Sequence, residues 1–538
     1  MAEANANVCR FLAEMATAHP GKCALIELHL GKSQKWSFEE FSNLVAGTSF
    51  FLQQKGIGRG CRTLVMVRPG LELIVLVFAL FQIGAIPVVI DPGMGVKSFR
   101  NCVARTRPKA LVGIPLAIGF SLFFNQDFAS LQIRVAVGKG LLRKVQKRAV
   151  QKLKPANASP DDLAAILFTS GSTGAPKGVC YNHGHFDAQL RLVREYYGIE
   201  PGEIDLPLLP VFSLFDPGLG MATVVPPVNP SKPAKAKPAE IVRVIQEHQV
   251  TNSFGSPVLW RLIARYCERH RIQLPSIKRI LMAGASVPPE LMETLKLIAP
   301  NAKIHSPYGA TESLPICSIS AEEVLETTAE LTIQGQGTCV GKVVPGVKVR
   351  IQPIEGEDFI KPFGDDRKVG EIQVNGPVVT EEYDQLPEAT QASKILEDGQ
   401  LWHRMGDLGY FDDAGRLWFC GRSEERVVLA DGTTMLTDCC EAIFNQNTRI
   451  LRSALIGIGE KGAQIPAIVA EPEYGFFPQD SLEKNLLLGE LWDLAKSNPL
   501  TERIDHFFLH RSFPVDVRHN AKIHRLTLAR MFEGQIGK

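Results

Sequence analysis

Paired cysteines and an excess of charge are both missing from this sequence of 538 residues. None of its 11 cysteines forms a C-x-x-C pair, which excludes zinc ribbons and thioredoxin-type sites. The odd number and the scatter of these cysteines favour reduced thiols, and therefore a cytoplasmic location. The formal net charge is only +2, which gives no basis for nucleic acid as the main partner.

An unbroken hydrophobic run is also lacking. The N-terminus has no basic region followed by an apolar one, so we expect no secretory signal. The most apolar stretch, LELIVLVFALFQIGAIPVVIDP, begins at Leu71, and Glu72, Gln82, Gly84 and Pro87 interrupt it. Because a membrane span needs ~20 nearly continuous apolar residues, we expect no transmembrane segment.

The same stretch instead predicts one unit of a parallel sheet. A buried helix is expected to end near Gly84, and a buried strand to cover residues 85–90. The run TLVMVRPG from Thr63 supplies a strand before that helix. The order strand, helix, strand is typical of a parallel sheet covered by helices. With 45% hydrophobic residues, the chain is long enough for several such units and a large α/β core.

Small and hydroxyl residues are unusually dense in LFTSGSTGAPKGV, which begins at Leu167. The predicted strand LAAILF precedes this loop, and a predicted helix follows it, with Phe186, Leu190, Val193 and Tyr197 on one face. Backbone amides and hydroxyls in such a loop can converge on an anion. The candidate phosphate ligands are Thr169, Ser170, Gly171, Ser172, Thr173, Gly174 and the positively charged Lys177.

A Walker loop is excluded here, because Pro176 stands where that pattern requires a glycine before the lysine. A flexible surface turn is the alternative interpretation. Two later predicted strands, in IKRILMAGA and AKIHSPYGATE, also end in turns that contain glycine. Turns at the carboxyl ends of strands are where open α/β sheets bind ligands.

The order of these motifs resembles the adenylate-forming superfamily of acyl-CoA synthetases, luciferases and nonribosomal peptide adenylation domains. TSGSTGAPKG is similar to the phosphate loop of that superfamily, and YGATE to its adenine and magnesium motif. HRMGDLGYFD contains Asp407, GRLWFCGR ends in Arg422, and HNAKIHR carries Lys522. The resemblance covers about 350 residues in the expected order.

The resemblance implies ATP and Mg²⁺ as cofactors. Thr311 would hydrogen-bond the α-phosphate, Glu312 would hold Mg²⁺, and Lys522 would reach the acid and a phosphate oxygen. Asp407 would accept the ribose hydroxyls, with Arg422 beside the ribose and phosphate. Tyr308 would stack on the adenine, and Gly284, Ala285, Gly309 and Ala310 would also bind the nucleotide.

Each of these charged residues also has a purely structural interpretation. Asp407 after Gly406 could be a turn residue, Arg422 a surface ion pair and Lys522 a solvated charge. The resemblance further implies an α/β fold in two parts. Residues 1–423 would form a large N-terminal AMP-binding domain of α/β subdomains plus a distorted β-barrel. Residues 424–538 would form a small mobile α+β domain, with a hinge near Glu425 or Arg426.

Three stretches resemble the β-lactone synthetases of bacterial long-chain olefin biosynthesis: FDPGLG, GTCVG and FPVDVRHNAKI. This likeness implies adenylation of a long-chain 2-alkyl-3-hydroxy acid, followed by attack of its own 3-hydroxyl to give a β-lactone, AMP and diphosphate. The hydroxyl proton needs an acceptor, either a phosphate oxygen nearby or a base, for which His183, His185 and Lys522 are the candidates. Assembly with other olefin-pathway enzymes is plausible by the same resemblance.

Other functions remain open from the sequence. An acyl-CoA ligase or a fatty acyl-AMP ligase would share every ATP motif, although the loop LADGTTMLTD departs from that of thioester-forming relatives. A non-catalytic module is disfavoured, because all the charged motif residues are present. The basic segment LLRKVQKRAVQKLKP from Leu141 is either an exposed helix or a contact with an anionic membrane surface or partner.

Overall fold

The structure is a computed structural model that describes residues 5–29, 32–138, 140–146, 154–169, 176–228, 235–356, 358–360, 367–515 and 522–535. Within these ranges, no helix is long and apolar enough to cross a bilayer.

The strands follow one another along nearly the whole chain. In chain order they are β1 (Cys23–His29), β2 (Lys32–Ser37), β3 (Arg62–Met66), β4 (Ile86–Val89), β5 (Ala110–Gly113), β6 (Ile133–Ala136), β7 (Leu163–Thr169), β8 (Lys177–Asn182), β9 (Ile204–Asp205), β10 (Ala222–Val224), β11 (Asn252–Gly255), β12 (Arg279–Met282), β13 (Lys303–Ala310), β14 (Ser313–Ser320), β15 (Thr338–Val343), β16 (Lys348–Pro353), β17 (Asp358–Phe359), β18 (Gly370–Asn375), β19 (Lys394–Glu397), β20 (Gln400–Phe411), β21 (Leu417–Arg422), β22 (Val427–Val428), β23 (Thr433–Met435), β24 (Ile450–Ile458), β25 (Ile465–Pro472) and β26 (His506–Leu509).

Helices alternate with the strands in the first half and again near the C-terminus. They are α1 (Arg10–Ala18), α2 (Phe38–Gln54), α3 (Leu71–Gln82), α4 (Val96–Thr106), α5 (Pro115–Phe123), α6 (Gly140–Gln146), α7 (His183–Tyr197), α8 (Asp216–Leu219), α9 (Pro238–His248), α10 (Pro257–His270), α11 (Pro289–Ile298), α12 (Ala321–Glu323), α13 (Ala329–Ile333), α14 (Pro387–Ser393), α15 (Thr437–Phe444), α16 (Ser481–Lys496) and α17 (Arg525–Phe532).

The first sheet has the strand order β6-β5-β3-β4-β7-β8. All neighbours are parallel except β7 and β8, which are antiparallel. The predicted strand–helix–strand unit is confirmed as β3, α3 and β4. Helix α3 is apolar on nearly every side and is buried almost completely, as expected for a helix inside a large protein.

The second and larger sheet carries the candidate nucleotide residues. Its order is β16-β18-β20-β21-β15-β14-β13-β12-β11-β9-β10-β1-β2, with β19 paired to β20. Strands β11, β12 and β13 run parallel, so their carboxyl ends meet at one edge. From β13 to β14, β15 and β21 the pairing becomes antiparallel.

Two expectations about this architecture need correction. The strand β8 lies between the phosphate loop and the predicted helix, which is confirmed as α7. The loop is therefore followed first by an extended segment, which pairs with β7, and only then by the helix. The strands expected to form a distorted barrel continue the large sheet, and they form no closed barrel among the described residues.

The C-terminal residues build a small sheet in the order β24-β25-β26. Helix α17 packs on it through Leu528 and Phe532, which lie among the buried apolar residues of β24 and β25. Its other side continues into the largest apolar cluster, where Leu455 and Ile468 join Trp418 of β21. The segment that carries Lys522 is therefore anchored to a packed α+β unit.

Candidate active site

The phosphate loop connects two paired strands. Thr169 at the end of β7 pairs with Lys177 at the start of β8. The predicted ligands Ser170, Gly171, Ser172, Thr173 and Gly174 lie outside the described residues. The ammonium group of Lys177 lies 4.7 Å from the ring centre of Tyr383, so one end of the loop is fixed beside an aromatic residue.

A tight turn between β13 and β14 carries the predicted adenine and magnesium motif. Tyr308 pairs with Cys317, and Ala310 pairs with Ser313, with a register shift between them. A Cβ at Gly309 would lie 2.5 Å from the carbonyl oxygen of Ser313. Only glycine fits this position, so the turn that presents Thr311 and Glu312 depends on it.

Three predicted residues from separate strands meet beside this turn. The hydroxyl of Tyr308 donates to Oδ2 of Asp407 at 2.5 Å. Nη1 of Arg422 lies 2.9 Å from Oδ1 of Asp407. Asp407 and Arg422 are direct partners in the register of β20 and β21. The interpretations of Asp407 as a turn residue and of Arg422 as a surface ion pair therefore do not fit.

The carboxyl group of Asp407 is buried, and one of its oxygens lacks a hydrogen-bond donor among the described residues. Burial raises its pKa, while Arg422 and the Tyr308 hydroxyl lower it. Although Arg422 is close to Oδ1, its N–H groups are not aligned for a hydrogen bond, and no other described group donates to that oxygen. A buried acceptor without a donor is costly. A pair of ribose hydroxyls would satisfy it.

Glu312 lies within reach of the same loop. Its Oε1 accepts a 2.8 Å hydrogen bond from the hydroxyl of Tyr383, the residue that contacts Lys177. Burial opposes ionisation of Glu312, but His403, the Tyr383 hydroxyl and Lys394 together hold its pKa below the usual range. Burial lowers the pKa of His403 itself to about 3. His403 is therefore neutral at pH 7, so at that pH the Tyr383 hydroxyl and Lys394 remain to stabilise the Glu312 carboxylate.

Lys394 is a site residue that the sequence analysis missed. Its side chain is buried, and its ammonium group donates to the carbonyl oxygen of Thr380. The amide of Thr380 donates in turn to the carbonyl oxygen of Glu312 at 2.9 Å. Burial lowers the pKa of Lys394 to about 8 although Glu312 raises it. No local motif in the surrounding sequence ASKILEDG marks this lysine.

Lys522 faces this site from the C-terminal unit. Its side chain is exposed, and its positive charge lowers the pKa of Asp407. Three residues later, Arg525 is held by both oxygens of Glu441 at 2.6 Å and by Glu425 at 2.9 Å. These buried ion pairs fix the start of α17 and thereby the direction from which Lys522 approaches.

The predicted contact at Gly284 and Ala285 is also located beside Tyr308. These two residues follow β12, whose neighbour in the sheet is β13. Gly284 has a φ of +97°, which turns the chain across the carboxyl edge of the sheet. Gly284 and Ala285 thus lie at the same edge as the YGATE turn, where the resemblance places the adenine.

An apolar cavity of about 60 Å³ opens behind the turn. It is lined by Phe212, Phe215 and Leu219 of the run LPVFSLFDPGLG, together with Phe254 and Leu314. Gln189 also lines it; its amide nitrogen donates to the carbonyl oxygen of Leu314 at 3.1 Å. The oxygen Oε1 of Gln189 is buried and has no aligned donor within the described ranges.

Two buried carboxyl groups form the far wall of this cavity. Asp205 and Asp216 hydrogen-bond to each other, and Thr223 donates to Asp216 at 2.6 Å. Burial raises the pKa of Asp216 to about 7, and burial together with the charge of Asp216 raises the pKa of Asp205. The pair therefore holds at least one proton at neutral pH. Asp216 belongs to the FDPGLG stretch, but nothing in the sequence indicated its partner.

The histidines proposed as bases are both committed to structural contacts. Nδ1 of His183 accepts from the amide of Val8 at 3.2 Å, and Nδ1 of His185 accepts from the amide of Asn182 at 3.0 Å. Burial lowers the pKa of each to about 4. Both rings are neutral at pH 7. His185 caps the start of α7, whereas His183 binds the segment before α1.

Comparison with known proteins identifies the class. The model of the AMP-binding enzyme family matches residues 12–384, and the chain belongs to that family. It is an adenylate-forming enzyme. Among its relatives is the olefin beta-lactone synthetase of Stenotrophomonas maltophilia (strain K279a), 42% identical over 88% of this chain and 87% of the relative. The olefin beta-lactone synthetase of Xanthomonas campestris pv. campestris is 41% identical over 88% of this chain and 86% of its own length.

Solved structures share the fold at lower identity. ATP-bound MatB from Rhodopseudomonas palustris superposes with a TM-score of 0.79 at 19% identity, covering 99% of this chain and 100% of its own. The o-succinylbenzoate coenzyme A synthetase of Bacillus subtilis, solved with ATP and a magnesium ion, gives 0.76 at 21% identity. That alignment covers 96% of this chain and 98% of the other. At these identities the likeness establishes the fold.

The environment of Glu312 leads to a prediction about metal dependence. Glu312→Gln keeps the size of the side chain but removes the charge that Lys394 and Tyr383 stabilise. We expect the Mg²⁺ concentration for half-maximal ATP–pyrophosphate exchange to rise at least about tenfold. Glu326→Gln, at an exposed position, is the matched control. An unchanged metal titration would place the ligand elsewhere.

The buried carboxyl pair leads to a prediction about stability. The folded-state pKa of Asp216, about 7, exceeds its unfolded value, so the folded state binds the extra proton. Stability therefore falls as the pH rises from about 4 to about 7. In Asp216→Asn this loss should diminish, so the variant gains stability relative to the parent across that window. Urea unfolding at several pH values measures it.

The exposed Asp398→Asn serves as the control for this comparison, because its carboxylate is solvated in both states. A difference between Asp216→Asn and the parent that stays constant from pH 4 to pH 8 would mean that the pair ionises normally in the folded protein.

Proposed function

We propose that this enzyme adenylates a long-chain 2-alkyl-3-hydroxy acid with ATP and closes the acyl adenylate to a β-lactone. The observation that carries the proposal is the meeting of Tyr308, Asp407, Arg422 and Lys522 beside an apolar cavity lined by the FDPGLG stretch. The identity to the two olefin beta-lactone synthetases supports the choice of substrate.

ATP would bind along the carboxyl edge of the two sheets. The free oxygen of Asp407 takes the ribose hydroxyls, and the YGATE turn takes the adenine next to Gly284 and Ala285. The phosphates extend towards Lys177 and the loop that begins at Thr169. Glu312, whose pKa is lowered, supplies an ionised oxygen of the type that Mg²⁺ prefers. Such an ion would neutralise charge on the phosphates.

In the first step, a carboxylate oxygen of the acid attacks the α-phosphorus. An oxygen–phosphorus bond forms, and the bond to diphosphate breaks. Charge accumulates on the phosphate oxygens, so catalysis is mainly positioning and charge stabilisation. Lys522 approaches from the C-terminal unit with its ammonium group, and Thr311 offers its hydroxyl from the YGATE turn.

In the second step, the 3-hydroxyl oxygen attacks the acyl carbon. The bond between that carbon and the AMP oxygen breaks, and the hydroxyl proton passes to a phosphate oxygen of the departing AMP. This acceptor is favoured over His183 and His185, whose Nδ1 atoms accept backbone amides. Because the 3-hydroxyl and the acyl carbon belong to the same molecule, no external nucleophile is needed.

The cavity suits one end of such an acid. Oε1 of Gln189 is a buried acceptor with no aligned donor in the described part of the chain, and a substrate hydroxyl would supply that donor. The cavity of about 60 Å³ is too small for a long alkyl chain. Phe212 and Phe215 therefore have to rotate outwards when a chain enters.

The domain division at residues 423 and 424 belongs to the same proposal. The segment 424–538 carries Lys522 and, with Arg525 on Glu425 and Glu441, would move as one unit about Glu425 or Arg426. We also propose a cytoplasmic location, because the scattered cysteines suit reduced thiols, and an assembly with other olefin-pathway enzymes, as the resemblance implies. The second candidate function is an acyl-CoA ligase, which the shared ATP site would also serve.

Lys522 gives the first functional prediction. Removing one preorganised donor from a phosphoryl-transfer site costs ~10²- to 10³-fold in rate. Lys522→Ala should therefore lower adenylation by that amount while ATP still binds, because Tyr308 and Asp407 remain. The exposed Lys484→Ala is the matched control. Near-normal exchange of pyrophosphate into ATP by the Lys522 variant would show that Lys522 does not stabilise charge during adenylation.

The choice of reaction gives the second functional prediction. Without CoA, a 3-hydroxy acid should yield a product lighter by one water, with AMP and diphosphate in equal amounts. An acid that lacks the 3-hydroxyl should stop at the acyl adenylate, because no internal nucleophile reaches the carbonyl. Mass spectrometry of the products decides. A thioester, or a requirement for CoA in multiple turnovers, would favour the acyl-CoA ligase instead.

A further inference from the structure

The solvent side of α5 has no polar side chain. With 3.6 residues per turn, Pro115, Leu116, Gly119, Leu122 and Phe123 fall on one side of this helix. All five are exposed: Leu116 is 78% exposed, Leu122 59% and Phe123 80%. A contiguous apolar patch of this kind marks a binding surface in folded proteins.

The opposite side of α5 is fixed in the protein. Ala117 and Ser121 are buried, and the ring of Phe120 lies 6.1 Å from that of Phe99 and 5.9 Å from that of Phe128. Since these contacts hold the helix in place, Leu116, Leu122 and Phe123 cannot turn inwards together. The apolar patch is a rigid part of the surface.

Basic residues outnumber acidic ones in the segments that flank α5 in the chain. Arg100 lies over the ring of Phe124 at 4.2 Å, and Nε of Arg134 donates to the hydroxyl of Ser121 at 3.1 Å. The lone acidic residue between positions 96 and 134 is Asp127, which is paired with Arg100 at 2.5 Å. The basic residues of that range are Lys97, Arg100, Arg105, Arg107, Lys109 and Arg134.

This positive charge is local. The whole chain has a net charge of only +2, and Lys97, Arg107 and Lys109 are exposed. In the sequence, residues 139–154 continue the same bias with lysine and arginine and no acidic residue. An apolar helix face flanked by basic segments combines the two attractions that hold a protein at an anionic bilayer.

We propose that α5 docks on an anionic lipid bilayer, with Leu116, Leu122 and Phe123 below the headgroups and Lys97 and Lys109 among the lipid phosphates. A protein partner is the less favoured occupant, because the described surface offers it cations around the patch but no matching acidic or hydrogen-bonding groups on α5. The docking does not depend on the proposed reaction, although long-chain acids also partition into bilayers.

Sedimentation of the full chain with vesicles tests the proposal. Vesicles of phosphatidylglycerol and phosphatidylcholine in equal parts should bind the protein, and binding should weaken as salt is raised. Pure phosphatidylcholine should bind at least about tenfold more weakly, because each basic residue near an anionic surface contributes about a fivefold factor. Equal binding to both vesicles, or to neither, would overturn the proposal.

Two double variants separate the apolar contribution to vesicle binding from the electrostatic contribution. Leu116→Ser with Phe123→Ser, and separately Lys97→Glu with Lys109→Glu, should each weaken vesicle binding at least about tenfold. The matched control is Leu297→Ser with Leu396→Ser, at apolar positions that are 70% and 74% exposed elsewhere. ATP–pyrophosphate exchange should be unchanged in all three, which verifies folding. Loss of vesicle binding in the control as well, or retention in both test variants, would contradict docking through α5.

Discussion

The hydrogen bond between Tyr308 and Asp407 is the contact on which the nucleotide site depends. It joins the parallel part of the large sheet to the antiparallel part, since Tyr308 lies in β13 and Asp407 in β20. Asp407 is buried, and Arg422, Tyr308 and Lys522 oppose the rise in pKa that burial causes. Tyr308 and Arg422 are therefore both held by this one carboxylate.

A second set of contacts links the end of the phosphate loop to Glu312, the proposed metal ligand. Tyr383 contacts Lys177 with its ring and Glu312 with its hydroxyl, and Lys394 balances the charge of Glu312 from behind. The apolar cavity instead takes Phe212, Phe215 and Leu219 from the run LPVFSLFDPGLG. Under the proposed function, substrate choice would depend on that run, and nucleotide binding on Tyr308, Asp407 and Arg422.

The sequence was informative wherever function or structure depends on neighbouring residues. The unit of β3, α3 and β4, the helix α7 and the turn at Gly309 all follow from local periodicity or local sterics. Tyr308, Asp407 and Arg422 were found through motifs, and the structure brings them together. Strand β8 is not predicted, because the helical spacing that starts at Phe186 gives no indication of the short extended segment before it. Among the described residues the strands form no closed barrel, because the large sheet continues from β15 to β21, a pairing between distant segments that no local pattern records.

Residues that act through long-range contacts were not predictable for the same reason. Lys394 gains its importance from burial beside Glu312, and Asp205 from its approach to Asp216. Neither lies in a motif. In each case the fold brings a buried charged residue next to a partner from a distant segment. Only the three-dimensional structure shows such a pair.

The central claim is that the carboxylate is activated as an acyl adenylate and that the substrate's own 3-hydroxyl then displaces AMP. A 3-hydroxy acid with ¹⁸O in both carboxylate oxygens tests it most directly. Attack of the carboxylate on the α-phosphorus sends one labelled oxygen into AMP, and the other stays in the lactone carbonyl. We predict one ¹⁸O in each product by mass spectrometry. Unlabelled AMP together with a doubly labelled lactone would show that the hydroxyl, and not the carboxylate, had been activated.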